Sequence, residues 1–228
     1  MPKELADTDH PLVQATASRL TQSAKTDRQK LRRLFLFVRD DIAFGFPTKG
    51  DLVPASETIK TRVGQCNTKA TLLLALCRAS GLRARIHFSL ISKDIQRGFF
   101  TGIPYWLIPK EISHAWIEVE IDGTWRRIDS FINDTPLHQA AVRALARHGW
   151  NVGFSLALNN GQASADLNID AEAFEQMAAV TDNHGVWDEP ADYYASALYK
   201  NRPGLLRLLA YRLFIGSVNR RIEALRAS

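Results

Sequence analysis

The 228 residues are 46% hydrophobic, with ordinary Gly and Pro and no low-complexity run or solenoid repeat, which excludes a disordered or repeat chain and leaves one large domain or a domain with an appendage. The formal net charge of +5 raises nucleic acid as a partner, but the basic residues gather in 19–39 and 202–226, interleaved with apolar residues at helical spacing and without an RNP-like, zinc-finger or helix-turn-helix signature. They read as solvated helix faces, and no nucleic-acid partner is expected.

Met1 to His10 is polar and acidic, without the basic and apolar regions of a secretory signal. No run approaches the ~20 apolar residues of a spanning helix. The nearest, Gly204 to Val218, is broken by Arg207 and Arg212. A cytoplasmic protein with no transmembrane segment is the expectation.

Pro11 to Gln22 and Asp27 to Ile42 carry apolar residues at three- and four-residue spacing and predict two helices, the second capped by Thr26 or Asp27. Gly45, Pro47, Gly50 and Pro54 mark a loop, and Ser56 opens a short helical segment that delivers the chain to Gly64. Cys66 to Ser80 predicts a helix apolar around most of its circumference, with Gly81 as a left-handed cap. Leu82 to Ile91 alternates as a strand. Ser92 to Ile112 is a long loop rich in aromatic residues, of the kind that covers sites.

His114 to Ile121 and Thr124 to Asp129 predict a hairpin about Asp122-Gly123, with His114, Trp116, Glu118 and Glu120 on one face. Thr135 to His148 predicts a helix closed by Gly149. Trp150 to Leu158 predicts a strand ending at the Asn159-Asn160-Gly161 turn, and Asp170 to Thr181 a helix. Asp182 to Pro190 reads as a loop, and Tyr193 to Ser228 as helix interrupted near Pro203-Gly204. Composition shifts after about Asp134. The expected division is therefore a catalytic core with a helical lead-in over 1–134 and a mainly helical extension, packed on it, over 135–228.

Chemistry concentrates at Gly64-Gln65-Cys66-Asn67. A cysteine in the first turn of a buried helix meets unpaired N–H groups and the positive end of the helix dipole, which favours its thiolate. A His and an Asp follow in order on strands, so Cys66, His114 and Asp129 are the candidate nucleophile, base and orienting group. Cys77 lies eleven positions along the same predicted helix, roughly 16 Å away along its axis. A disulfide needs Cα atoms within about 7 Å, so both thiols are expected free, as in a reducing compartment. The remaining histidines show no ligand spacing, and no metal is expected.

The combination of Gly64-Gln65-Cys66, the apolar helix Leu72 to Gly81, His114-Ala115-Trp116 and Trp125 to Asp129 resembles the transglutaminase-like superfamily over about Leu31 to Ser130. The resemblance implies an α+β, papain-like core with a central helix packed on an antiparallel sheet, here followed by the C-terminal helical extension. It implies Cys66 as nucleophile, His114 as general base and acid, and Asp129 as the group fixing the His tautomer. No Trp precedes Cys66 to serve as an oxyanion donor. The candidates are the Cys66 N–H and, secondly, Gln65, with Trp116 a candidate wall of the site.

The function expected is acyl transfer from an amide or thioester through an acyl-enzyme, by hydrolysis or transamidation, without a cofactor. The alternative is a catalytically silent scaffold that binds a protein partner. The C-terminal helix, apolar nearly all round, is expected to pack on the core or join a second copy in a homo-oligomer.

Overall fold

The computed structural model describes residues 4–202 and 204–228. Pro203, part of the expected interruption of the last helix, lies outside the described residues, as do positions 1–3 of the expected leaderless N-terminus.

The first helix, α1 (Pro11–Thr21), opens on Pro11, and His10 Nδ1 accepts the Leu12 N–H at 3.1 Å. Helix α2 (Asp27–Leu36) is capped by Thr26, whose hydroxyl accepts the Gln29 N–H. It widens into a π-type turn over Phe37–Asp41, where the single long helix expected to Ile42 ends. The carbonyls freed there are taken by a buried amine, since Lys69 Nζ donates to Arg39 O at 3.1 Å and Ile42 O at 2.8 Å. Strand β1 (Ala43–Phe44) then pairs in parallel with β2 (Val63–Gly64), and α3 (Ala55–Thr61) lies between them in sequence.

Helix α4 (Cys66–Ala79) is the centre of the molecule, with every residue from Asn67 to Cys77 buried. Gly64 is required at its approach. A Cβ there would lie 2.9 Å from both Lys69 Cγ and Thr68 Oγ1. Gly81, at φ +80°, releases the chain from the helix.

Strand β3 (Ala84–Ser92) is followed by a 3-10 turn at Lys93–Gln96 and the short helix α5 (Gly102–Leu107), so the expected aromatic loop is partly helical. Strands β4 (Glu111–Ile121) and β5 (Thr124–Ile128) form the expected hairpin, and positive φ at both Asp122 and Gly123 gives its turn the matching twist. Next come α6 (Thr135–His148), the strand pair β6 (Val152–Gly153) and β7 (Leu156–Ala157), then β8 (Val180–Trp187), α7 (Pro190–Ala195) and α8 (Leu205–Arg226).

The main sheet is antiparallel in the order β5-β4-β3-β8. Helix α4 packs on one face of it, where Ile86, Phe88, Ala115, Ile117 and Val119 share a cluster with the leucines of α4. On the other face Ile91 and Ile112 meet Ile95, Ala157 and Ala179. The architecture is therefore α+β, with a central helix against an antiparallel sheet.

Two expectations are corrected. Asp170 to Thr181 is not a helix: it holds turns, a 3-10 turn at Met177–Ala179 and the start of β8. The N–H groups of Glu175, Gln176 and Met177 point at a carboxylate from another part of the chain instead of forming helical bonds. Asp182 to Pro190 is not simply a loop either, because Asp182 to Trp187 belong to the edge strand β8. The segment after Asp134 supplies, beside its helices, the strand β8 of the main sheet and side chains of the main core.

Candidate active site

The β4–β5 ladder begins at Ile117 paired with Ile128, so β5 leaves the edge of β4 uncovered at Ser113 to Trp116. The N-terminus of α4 comes to this stretch. Asn67 Nδ2 donates to Ser113 O at 3.3 Å, and the Ala115 N–H faces the Cys66 sulfur. The half-buried thiol donates to Gln65 Oε1 at 3.0 Å, and the Asn67 N–H donates to the same oxygen at 2.9 Å. Gln65 is thus the cap of α4. Its amide nitrogen donates to Asp51 Oδ1 at 2.6 Å, and Tyr199 donates to Asp51 Oδ2 at 2.9 Å.

Burial pushes the Cys66 thiol well above the ordinary cysteine range, and the neighbouring Asp51 charge pushes it further. The N–H groups of Asn67, Ala115 and Cys66 pull the other way. The effect expected from the helix N-terminus is present, but desolvation outweighs it. The resting sulfur is a thiol. Burial, opposed by the hydrogen bonds from Tyr199, Asn67 and Gln65, likewise raises the Asp51 carboxyl.

His114, the residue before Ala115, has no exposed surface, and among the described residues neither ring nitrogen has a hydrogen-bond partner. Burial pushes it down to about 3, so the imidazole is neutral. Trp116 is buried in a stack with His87, ring centres 4.2 Å apart, and its ring centre stands 6.0 Å from that of His114. Asp129 is also fully buried. Its Oδ1 accepts the Glu175 N–H at 2.8 Å, and its Oδ2 accepts those of Gln176 at 2.8 Å and Met177 at 3.1 Å. Burial raises its carboxyl to about 7 against the pull of these N–H groups, with the Glu175 charge adding to the rise.

Among the described residues, no hydrogen bond joins Cys66, His114 and Asp129 to one another. Cys66 and Gln65 lie on the wall of a cavity of about 610 Å³, while His114, Trp116 and Asp129 are buried and do not line it. Sequence reasoning missed Asp51 and Tyr199, which hold Gln65 and thereby the thiol. It also missed the backbone of 175–177, which takes the Asp129 carboxylate. All of these contacts are non-local, and no motif spacing marks them. The Asp129 clasp continues inward: Glu175 accepts from Asn133 N–H at 2.9 Å, and its other oxygen lies 2.6 Å from His138 Nδ1.

Cys66 thus opens the buried helix α4 beside the stretch of β4 that carries His114. The sequence profile described as Transglutaminase-like superfamily matches residues 14–130, slightly more than half of the chain. The chain belongs to the transglutaminase-like superfamily. No curated protein matches it.

Among solved structures, a protein of Cytophaga hutchinsonii described as a candidate cysteine protease is 22% identical, with a TM-score of 0.43 over 57% of this chain and 39% of its own. A protein of Parabacteroides distasonis described as a candidate protease is 14% identical, with a TM-score of 0.37 over 54% of this chain and 25% of its own. The chain therefore spans well under half the length of either.

Proposed function

We propose that the chain is a cysteine-nucleophile acyl-transfer enzyme acting on an amide or thioester through an acyl-enzyme, with Cys66 as nucleophile, His114 as base and acid, and Asp129 in support. The observation that carries this reading is the position of Cys66 at the N-terminus of α4, on the wall of a large cavity and beside the strand edge that bears His114. A buried imidazole with neither nitrogen paired adds support. Each such unsatisfied group costs on the order of 1–3 kcal/mol, and orphaned polar groups in native proteins call for an explanation such as a catalytic role.

The resting pair is thiol and neutral imidazole, so no ion pair stands ready. In this reading the Cys66–His114 hydrogen bond forms only in the substrate complex, as catalytic bonds often tighten there. His114 takes the Cys66 proton while the sulfur attacks the carbonyl carbon. The bond to the leaving amine or thiol breaks, and His114 returns the proton to that leaving group. Water or an amine then attacks the thioester, with His114 again as base. The Cys66 N–H, at the helix N-terminus, is the oxyanion donor we favour over Gln65, whose amide nitrogen is held by Asp51. Trp116 backs His114.

Among the described residues Asp129 accepts three backbone N–H groups and makes no hydrogen bond to His114, so in this reading its support is the charge of a nearby buried carboxylate and not a bond that fixes the tautomer. The chemistry needs no metal or cofactor. Free Cys66 and Cys77 suit a reducing compartment, and we place the protein in the cytoplasm. Among the described residues, no helix is long and apolar enough to cross a membrane.

The test is intact-mass analysis after incubation with activated esters and thioesters. An acyl adduct that disappears in Cys66→Ala supports the reading. A second reading, a silent scaffold for a protein partner, is favoured by the missing Cys66–His114 hydrogen bond and the raised thiol. It predicts that any adduct at Cys66 forms no faster than on an ordinary thiol and at the same rate in His114→Ala.

A further inference from the structure

The cavity that reaches Cys66 has a division of character along its wall. At the thiol stand Asp51, Gln65 and Ser113, the first two already hydrogen-bonded to each other. Away from it the wall is apolar and partly aromatic: Phe46, Phe99, Ile112, Leu208, Tyr211 and Phe214. The Tyr211 hydroxyl is turned to the Pro47 carbonyl, to which it donates at 2.7 Å, so its ring contributes an apolar surface. Apart from Asp51, the charged side chains on the wall are the exposed cations Lys49, Arg202 and Arg207.

The cavity opens between α5 and the first half of α8. Leu107 and Phe214 line it and are also 54% and 43% exposed, which places them at the mouth. Beside them on the same two helices, Trp106 and Leu213 are 77% and 80% exposed. A volume of about 610 Å³ lies within the ~300–1,000 Å³ range of small-molecule pockets. A peptide or glutamine site would need hydrogen-bonding partners for backbone or amide groups along its length. Beyond the thiol end this wall also carries Gln96, Ser155, Gln176, Tyr194 and Asn201, but Gln176 and Ser155 bond each other, the Asn201 amide nitrogen donates to Glu111 O, and most of the wall's surface is apolar. An apolar chain needs no such partners, and every methylene it buries contributes to binding.

We infer that the cavity is an acyl-chain subsite, and that the substrate class is a medium- to long-chain aliphatic acyl group whose carbonyl is presented to Cys66. The inference rests on the acyl-transfer reading for the role of Cys66, but the cavity's chain-binding capacity is separate from it. With a p-nitrophenyl ester as probe, the step is balanced. The S–C bond forms at the carbonyl carbon, and the C–O bond to nitrophenol breaks. The thiol proton passes through His114 to the leaving oxygen.

The experiment has two arms on the full chain. In the first, dodecanoic acid displaces a fluorescent fatty-acid probe from Cys66→Ala and from the same protein carrying Ala210→Trp, which fills the α8 wall. Micromolar displacement from the first, lost in the second, is expected. In the second arm, acyl-enzyme formation in the wild type is followed by intact mass with nitrophenyl acetate, octanoate and dodecanoate below their micellar concentrations. The longer chains are expected to react at least about tenfold faster than acetate, and Ala210→Trp to abolish that preference.

Dodecanoic acid binding without an adduct from any ester keeps the subsite and overturns the enzyme reading. Adducts at equal rates for all chain lengths, without dodecanoic acid binding, keep the enzyme reading and overturn the subsite.

Discussion

Cys66 is governed by two opposed effects, and the sign of their sum sets its chemistry at rest. The helix N-terminus supplies N–H groups that favour the thiolate, whereas burial and the Asp51 carboxylate favour the thiol, and the latter pair wins. Asp51→Asn keeps one acceptor oxygen for the Gln65 amide, sets its own N–H against the Tyr199 hydroxyl, which can turn to accept it, and removes the charge. At the alkaline pH where the thiol titrates, Asp51 is ionised, so its loss stabilises the thiolate. Iodoacetamide alkylation of Cys66 in a Cys77→Ser background should accelerate several-fold at fixed pH, and an unchanged profile would remove Asp51 from the account. Lys69 shows the same competition elsewhere on α4. Burial brings it down to about 7 although Asp134 and Glu175 act to raise it. Its folded-state value lies below its ordinary 10.5, so the unfolded chain binds more protons between those limits and stability gains with rising pH there. Lys69→Met should flatten that rise between about pH 7 and 9 in urea titrations. It should also cost about 2 kcal/mol at neutral pH by stranding the Arg39 and Ile42 carbonyls.

At the scale of elements, Asp129 is the clasp that seats residues 175–177 against the end of β5. Asp129→Asn replaces one acceptor oxygen by an N–H donor facing another N–H. The amides of Glu175, Gln176 and Met177 should lose hydrogen-exchange protection, with a stability loss of about 1–3 kcal/mol. Retained protection would mean the segment is held by other contacts. The clasp also explains what was legible in the sequence. Helix α4, Gly81 and the β4–β5 hairpin are written in local signals: apolar periodicity, a glycine at positive φ, an Asp-Gly turn. Residues 170–181 carry a helical-looking pattern that a carboxylate more than forty positions earlier overrides. Strand β8 was illegible for another reason. As an edge strand with irregular register against β3, it can carry Asp182, Asn183 and Gly185, which read as a loop. Asp51 and Tyr199 reach the thiol only after folding, through Gln65, and no spacing announces them.

Across the whole molecule, α8 does more than cover the core. Ile215, Val218 and Ile222 are buried in it, while the first half of the helix walls the cavity and leaves Leu206, Leu209 and Leu213 exposed. The buried stripe of α8 thus lies in its second half, on the core, while Arg220, Arg221 and Glu223 face outward. Its C-terminal end is tied down by Arg226, which pairs with both Asp134 oxygens at 2.9 and 2.8 Å and donates to Phe44 O. Arg226→Ala leaves a buried carboxylate without its cation and should cost about 3 kcal/mol in urea unfolding. Removing residues 205–228 strips three buried aliphatic side chains, each contributing roughly 1.5–3 kcal/mol, from the core, and should yield an aggregating protein by light scattering. A soluble truncation of full activity would contradict this placement of α8. The most direct test of the account as a whole is the pre-steady-state rate of Cys66 acylation by an activated ester, compared between wild type and His114→Ala in a Cys77→Ser background. The account predicts a single adduct at Cys66, formed about 10²-fold or more slowly without the imidazole. Equal rates in the two proteins would contradict it, leaving Cys66 a merely accessible thiol and His114 a buried histidine of the sheet.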